Sequence, residues 1–348
     1  MLGLSIIICC YNSAIRLPDT LRHLAAQLPI AADWEVVVVD NNSTDNTAEV
    51  AYNIWQQLGA PVSMVVVTEP KPGLVYARER GLAASTYDLI LFCDDDNWLD
   101  KKYISTAWQL MTDKSIGVLG GLSLAVADVP LPNWFSEVEQ SYACGPQATL
   151  DGDVSEARLY IAGAGMVTRR EIYDKLKRLK FSSQLVGRTG SSLASGEDVE
   201  FSVVAAIMGY RLVYSSKLIL QHYMDSKRLT WDYLVKLTKG HGESSYILSL
   251  YKYLYTNGSI VPRWSNYFQQ VDTHFSHQLN WRDKLYRLRQ AVYWWVRQST
   301  GKLGVEGDVE SILAYYKMEG WVAHFKNKSQ YKSRAIVLNE LYKRLKSI

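Results

Sequence analysis

The chain has 348 residues, 48% of them hydrophobic and 21% charged, with a formal net charge of +3. That length can bury a full core, as one domain plus an extension or as two domains, and the ordinary charge content excludes a disordered chain. The four cysteines (Cys9, Cys10, Cys93, Cys144) show no CxxC spacing and no basic leader precedes the first apolar run. No uncharged run approaches the roughly 18–20 apolar residues of a membrane span, so a soluble, cytosolic chain is expected, at most attached to a membrane surface.

In chain order, strand Leu4–Cys9 is followed by a helix from about Leu17 to Leu28, and strand Trp34–Asp40 by a helix from about Asn46 to Leu58. Strand Pro61–Val67 precedes a helix from Leu74 to Ala84, and the run from Tyr87 to Cys93 precedes a helix from about Asp100 to Thr112. Near-continuous apolar strands between amphipathic helices imply a parallel sheet covered on both faces. Thr44 or Asp45 is a natural N-cap for the second helix, and Pro18 suits the first turn of the first. Further on, Ile116–Val126 and Leu159–Thr168 read as strands, Glu197–Met208 as a helix, and Arg211–Tyr214 with Leu218–His222 as a strand pair. The segment Phe181–Asp198, rich in Ser and Gly, reads as a mobile lid or a plain surface insertion.

Charge is unevenly spread. Residues 1–225 hold 18 Lys+Arg against 26 Asp+Glu, a net of −8, and residues 226–348 hold 20 against 9, a net of +11. The basic part also carries 6 of the 11 Trp and 12 of the 23 Tyr. This places a boundary near Asp225, with a helical, basic, aromatic region after it. Within that region Trp281, Leu285, Leu288, Val292 and Trp295 share one helical stripe, with Arg282, Arg289 and Arg297 mostly elsewhere. The stripe suits a core or dimer helix, or a helix lying on an anionic membrane surface.

The most informative feature is the acidic triplet Asp94, Asp95 and Asp96 at the end of a buried strand. Three carboxylates there repel one another and resist leaving water unless something cationic joins them. Ligands of open α/β sheets bind just beyond the carboxyl ends of the strands. The triplet therefore points to a divalent ion holding an anionic ligand such as the diphosphate of a nucleotide-sugar; a solvated, helix-capping turn is the plainer alternative. The turn after the first strand reads CCYNSAIRLP and lacks the glycines of a dinucleotide fold and the GxxxxGK[ST] of a P-loop.

Five segments in order are SIIICCYN, VVVVDNNSTDNT, KPGLVYARERGL, FCDDDN and GEDVEFS. Together they resemble the family-2 glycosyltransferases of the GT-A fold, over roughly residues 2–225. The resemblance implies an α/β fold: a GT-A-type, Rossmann-like mixed sheet flanked by helices, with residues 1–96 as the nucleotide-binding part, 97–225 as the acceptor and catalytic part, and 226–348 as a C-terminal helical extension. The QxxRW motif of processive polymer synthases is absent.

The same resemblance implies roles. Asp40 would accept from the imide N–H of uracil, with Cys10, Tyr11, Asn12 and Asn42 around the base and ribose; an Asx turn is the structural alternative for Asp40. Asp96 would bind Mn²⁺ or Mg²⁺ directly, with Asp94 or Asp95 on the ribose or a metal-bound water and His222 completing the metal site. Arg78, and more weakly Lys71, would add a cation near the diphosphate. Asp198 of the Glu197–Asp198 pair would be the base on the acceptor hydroxyl, giving inversion, although acids also favour the first turn of a helix. The glycines Gly163 and Gly165 would let substrate approach backbone, and Trp134 would stack on a sugar ring.

The expected function is transfer of one sugar from a nucleotide-sugar, most simply UDP-linked, to a hydroxyl of a glycan or lipid-linked glycan in surface polysaccharide assembly. Expected partners are donor and acceptor, with membrane contact through 226–348, an oligomer open, and no nucleic acid. A non-catalytic sugar-nucleotide-binding scaffold on the same fold is the alternative.

Overall fold

The computed structural model describes residues 1–185, 193, 195–262, 309 and 328–347. Strands β1 (Gly3–Cys10), β2 (Asp33–Asp40), β3 (Met64–Thr68) and β4 (Leu89–Asp94) form a parallel group in the order β3-β2-β1-β4. Their apolar runs are continuous because both faces are covered. Ile6, Ile8, Val36, Val38 and Leu91 pack on one side with Leu17, Leu21 and Trp55, which come from helices α1 (Leu17–Ala25) and α2 (Thr47–Gln57). Ile7, Val37, Val39, Ile90 and Phe92 pack on the other with Ala77 of α3 (Leu74–Ala84). Period-2 alternation thus feeds two cores from one set of strands. Pro18 sits in the first turn of α1 as expected, but the N-cap of α2 is Asn46, not Thr44 or Asp45; Asp45, one residue before it, accepts from the Thr47 N–H at 3.1 Å.

Beyond β4 the sheet turns mixed. A short strand β5 (Asn97–Leu99), not expected from the sequence, precedes α4 (Tyr103–Leu110) and β6 (Ile116–Val126). Then come α5 (Phe135–Val138), β7 (Gly152–Asp153), β8 (Val167–Arg169), α6 (Arg170–Arg178), α7 (Glu197–Ile207) and β9 (Arg211–Tyr223). The path across the sheet is β3-β2-β1-β4-β8-β6-β9-β5, with β7 on β9. β8 runs antiparallel to β4 and β6, and β5 antiparallel to β9.

Two expectations are corrected. The strand over Leu159–Thr168 shrinks to β8, because Leu159 (φ 66°) and Gly165 (φ 71°) bend the chain out of extended geometry. The strand pair at 211–222 is one strand, β9, parallel to β6 with an irregularity that pairs Gly121 with Ser215 and Leu122 with Ile219. Asp151 holds that irregularity, accepting from the Ser216 N–H at 2.8 Å and the Ser215 hydroxyl at 3.1 Å.

After β9, a single 3₁₀ turn (Ser226–Leu229) leads to α8 (Trp231–Asn257), whose N-cap is Thr230 and whose C-cap is Gly258. Leu250, Tyr251 and Leu254 of α8 share a core with Val203, Val204 and Ile207 of α7. Ala335, Leu338, Leu341 and Leu345 of the C-terminal helix (Lys328–Lys346) join them. The Trp281–Trp295 stripe lies outside the described residues, as do residues 186–192 and 194 of the expected lid. No helix among the described residues is long and apolar enough to cross a membrane.

Candidate active site

The carboxyl ends of the parallel strands carry the first group of side chains. Register puts Cys10 beside Asp40 and Cys9 beside Asp94. Asp40 accepts from the Ser43 N–H at 3.1 Å, so the Asx turn is present. The two turns beyond β1 and β2 are stitched together. Asn12 donates its N–H to the Ser43 hydroxyl at 3.0 Å, and its side-chain oxygen accepts from the Thr44 N–H at 2.8 Å. Both Asn12 (φ 50°) and Asn42 (φ 60°) take the left-handed conformation that asparagine tolerates. Tyr11 and Asn42 are exposed at this edge. Asn41, which sequence reasoning passed over, is buried. Its amide donates to the carbonyls of Glu69 (3.0 Å) and Lys71 (2.7 Å), and its oxygen accepts from the Gly73 N–H at 2.9 Å. It fixes the loop before α3, where the Lys71 ammonium lies 3.7 Å from the centre of the Tyr76 ring. Cys10 is turned into the core beneath the sheet, so its side chain faces away from this edge; Cys9 faces the cavity instead.

That cavity, of about 500 Å³, opens at the end of β4. Asp94, Asp95 and Asp96 line it together with Arg78, Gly163, Glu197, Asp198, His222 and Arg228. The three acids are not equivalent. Asp95 turns back towards α1, accepting from the Ser13 hydroxyl and, at 2.7 Å, from Arg16, while its carbonyl accepts from Thr20. Burial and the neighbouring Asp96 raise its carboxyl, against Arg16 and Ser13. Asp96 meets His222, because β5 pairs with β9 so that Asn97 lies opposite His222. The His222 Nε2 is 3.4 Å from Asp96 Oδ1, which also accepts from Asn97 at 3.1 Å, and Arg228 donates to Oδ2 at 2.9 Å. Burial alone would raise the Asp96 carboxyl, but His222 and Arg228 outweigh it and hold it well below the usual range. Burial likewise opposes the imidazolium of His222, and Asp96 overcomes it, pushing the ring up to about 9. On its far side the His222 Nδ1 faces the Cys144 sulfur at 3.8 Å, which leaves Nε2 for Asp96.

Among the described residues no three His, Cys, Asp or Glu side chains are gathered around one point. Once His222 gives up its proton, one carboxylate oxygen and one imidazole nitrogen, with Asp94 lining the same cavity, form a donor set of the type Mn²⁺ accepts, and such ions commonly take the remaining ligands from phosphate and water. The side chains fit an ion that arrives with its nucleotide.

On the opposite wall, Asp198 stands in the first turn of α7 and accepts from the Gly163 N–H at 2.8 Å. A Cβ at Gly163 would lie 3.1 Å from the Arg78 guanidinium and 3.4 Å from Asp198. Glycine there lets a cation and a carboxylate converge on one backbone amide. Arg78 is stacked 4.9 Å over the Phe92 ring, in the field of Glu197 and Asp94. Glu197 accepts only from the Gly196 N–H at 3.0 Å among the described residues. One turn on, Glu200 is buried and accepts from the Tyr251 hydroxyl (2.6 Å), the Gln184 N–H (2.8 Å) and the Ser183 hydroxyl, tying α7 to α8 and to the start of the 181–198 segment. The outer end of the cavity is walled by Arg158, Tyr160, His241 and Lys252.

Besides Cys10, two expected residues sit elsewhere. Gly165 is packed against Tyr103 behind the cavity wall, its carbonyl accepting from the tyrosine hydroxyl at 2.7 Å. Trp134 is engaged in an aromatic cluster, 6.5 Å from Tyr142 and 6.0 Å from Trp231 between ring centres, and does not line the cavity. Asn41 and Arg228 were not singled out by sequence. Asn41 lies within the DNNS segment, where asparagine beside a strand end signals turn chemistry; nothing around Arg228 signals its contact with a residue 132 positions earlier.

Residues 5–177 match the family model for glycosyl transferase family 2. An uncharacterized glycosyltransferase of Nostoc sp. is 28% identical over 181 residues, covering 50% of this chain and 52% of that protein. The poly(ribitol-phosphate) beta-N-acetylglucosaminyltransferase TarS of Staphylococcus aureus is 29% identical over 119 residues, 34% of this chain and 20% of that protein. The glycosyltransferase AglE of Haloferax volcanii is 23% identical over 220 residues, 63% of this chain and 66% of that protein. The chain thus spans about half the length of the first of these relatives and a fifth of the second. A crystal structure of S. aureus TarS in complex with UDP-GlcNAc superposes with a TM-score of 0.51 at 18% identity, covering 94% of this chain and 92% of that one. The mannosyltransferase PcManGT of Pyrobaculum calidifontis, in complex with GDP-Man and Mn²⁺, gives 0.55 at 16% identity, covering 98% and 85%. These likenesses establish the GT-A-type fold.

Proposed function

We propose that this chain, which belongs to glycosyl transferase family 2, is an inverting, metal-dependent transferase moving one sugar from a UDP-linked donor to a hydroxyl of a glycan or lipid-linked glycan in surface polysaccharide assembly. The observation that carries the reading is the shared cavity: Asp96 with His222 on one wall and Asp198 on the other. A binding-only scaffold has no use for a carboxylate opposite the diphosphate position. That TarS is named for transfer to poly(ribitol-phosphate), and was solved with UDP-GlcNAc, favours a UDP-linked donor and a cell-surface acceptor here.

In this reading Asp40, Asn12 and Tyr11 receive the uridine at the ends of β1 and β2, and Arg78 faces the diphosphate. Asp198 Oδ2, fixed by the Gly163 N–H, takes the acceptor hydroxyl proton as that oxygen attacks the anomeric carbon from the face opposite the leaving group. The new glycosidic bond forms as the bond to the diphosphate breaks, with inversion. Asp96 and His222, with Asp94 beside them, would hold Mn²⁺ or Mg²⁺, which supplies positive charge for the leaving diphosphate. We place the functional boundary near Asp225: the chemistry precedes it, and α8 contributes the cavity's outer wall. A cytoplasmic location, with 226–348 touching an anionic membrane surface, belongs to the same proposal.

Calorimetric titration with UDP tests it. Affinity is expected to fall sharply in EDTA, and Asp96→Ala should reproduce that loss in Mn²⁺. Equal binding of UDP with and without the ion would sink the metal-dependent reading, and preference for GDP over UDP would sink the assignment of the base.

A further inference from the structure

Arg228 is a largely shielded cation whose ion-pair partner among the described residues is Asp96. It lies on the single turn between β9 and α8, its carbonyl accepts from the Tyr142 hydroxyl at 3.1 Å, and Asp225 caps the turn through the Lys227 N–H at 2.8 Å. With its backbone pinned, the guanidinium reaches into the cavity and donates through one terminal nitrogen to Asp96 Oδ2. Its Nε is buried without a hydrogen-bond partner among the described residues. A guanidinium offers a rigid fork of donors suited to two oxygens at once. Here it meets a single carboxylate oxygen, with the Tyr233 ring 6.0 Å from its centre, and its Nε is left unsatisfied among the described residues, which costs free energy.

Asp96 has the converse problem. Asn97 and His222 take Oδ1, and Arg228 takes Oδ2. A divalent ion on Asp96 must share that carboxylate with a guanidinium already bonded to it at 2.9 Å, and two cations on one carboxylate in a sheltered site oppose each other. The partner that relieves both is an oxygen-rich dianion entering beside Asp94, since a diphosphate satisfies a guanidinium fork bidentately.

We propose that Arg228 exchanges between Asp96 and the donor diphosphate, so that it opposes binding of the ion alone and favours binding of the nucleotide with the ion. This deepens the reading above and rests on it. Its consequence is that ion and nucleotide each raise the other's affinity, because one displaces the guanidinium and the other takes it up. A short side-chain rotation suffices, without movement of the backbone held by Tyr142 and Asp225.

The test is a pair of affinities with opposite expected signs. Mn²⁺ alone is titrated by electron paramagnetic resonance, and UDP is titrated at saturating Mn²⁺, for the full-length wild type, Arg228→Gln and Arg228→Lys. Arg228→Gln should bind Mn²⁺ alone at least about threefold more tightly, and UDP with Mn²⁺ at least about tenfold more weakly, with uridine affinity unchanged. Arg228→Lys keeps the charge and loses the fork, so it should leave Mn²⁺ affinity near wild type and still weaken UDP; it serves alone should the glutamine variant fail to fold. Two affinities that move together, two that do not move, or no Mn²⁺ binding by any form without nucleotide would each overturn the proposal. Failure of the parent reading looks different: wild-type UDP binding would then be indifferent to Mn²⁺, whatever Arg228 does.

Discussion

The two walls of the cavity hold their functional groups by different means. On the parallel side, Asp40 and Asp94 end β2 and β4, the strands flanking β1, and the turns behind them are laced by Asn12, Asn41, Ser43 and Asp45. On the other side, Asp198 stands at a helix start and depends on the backbone amide of a glycine in an irregular loop. Where strand register places a group, many contacts share the task of aiming it. Where a loop places it, one contact carries most of the aim. Substitutions should therefore act on binding and stability on the first wall and on turnover on the second.

The substitution expected to have the largest effect is Asp198→Asn, which keeps the shape and loses the base. Transfer should fall at least about a hundredfold while UDP affinity stays within about twofold. Wild-type turnover in steady-state assays would move the base elsewhere, with Glu197 first in line. Next comes Gly163→Ala, which touches no reacting atom. Its methyl would press on Arg78 and Asp198 at 3.1 and 3.4 Å. We expect about a tenfold loss of kcat with Tm almost unchanged, since small misplacements of catalytic groups are costly; an unaltered kcat would show that the loop yields freely and break the contrast drawn above.

Asn41→Ala probes the other wall. It removes the partner of the half-buried Gly73 N–H and of the Glu69 and Lys71 carbonyls, which should cost about 1 kcal/mol of stability in denaturant titrations. UDP affinity should weaken several-fold with kcat little changed. A variant with normal stability but poor turnover would reverse the assignment of the two walls.

Glu200 yields a smaller, pH-dependent effect. Burial raises its carboxyl above the ordinary range, against the pull of Ser183, Tyr251 and the Gln184 amide. The folded protein then holds that proton more tightly than the unfolded chain, so stability is greatest below the ordinary glutamate range and falls as pH rises through the raised value. Glu200→Gln should flatten this slope between acidic and alkaline denaturation curves; an unchanged slope would assign it to other groups. A separate effect, on binding and not on turnover, concerns 226–348 and its net charge of +11, 20 Lys+Arg against 9 Asp+Glu. Replacing Arg282, Arg289 and Arg297 by Gln should weaken co-sedimentation with anionic vesicles by about 1 kcal/mol per charge and spare transfer to a soluble acceptor. Absence of vesicle binding at low salt would end the membrane proposal.

The same contrast explains what could be read from the sequence. The parallel strands and their helices were legible because burial on both faces leaves continuous apolar runs punctuated by helix periodicity; α3 and β6 match the expected bounds. The triplet at 94–96 and the Glu197–Asp198 pair could be found because local strings mark them. The loop over 159–166 could not, since its bends depend on Leu159 and Gly165 adopting φ values that composition does not announce. Trp134 read as a sugar platform because exposure is invisible in sequence, whereas Tyr142 packs against it tilted and Trp231 edge-on. The contact of Arg228 with Asp96 is tertiary throughout.

The irregularity in β9 has a bearing on how this chain can vary in length. Residues 216–218 are extra relative to β6, and only beyond them does the register resume that brings His222 opposite Asn97. Side chains alternate along a strand, so losing or gaining one residue there would carry His222 to the wrong face of the sheet and away from Asp96. Insertions and deletions at this point are thus filtered by parity, and a homologue of different length can keep the Asp96–His222 pair only if its bulge restores the phase.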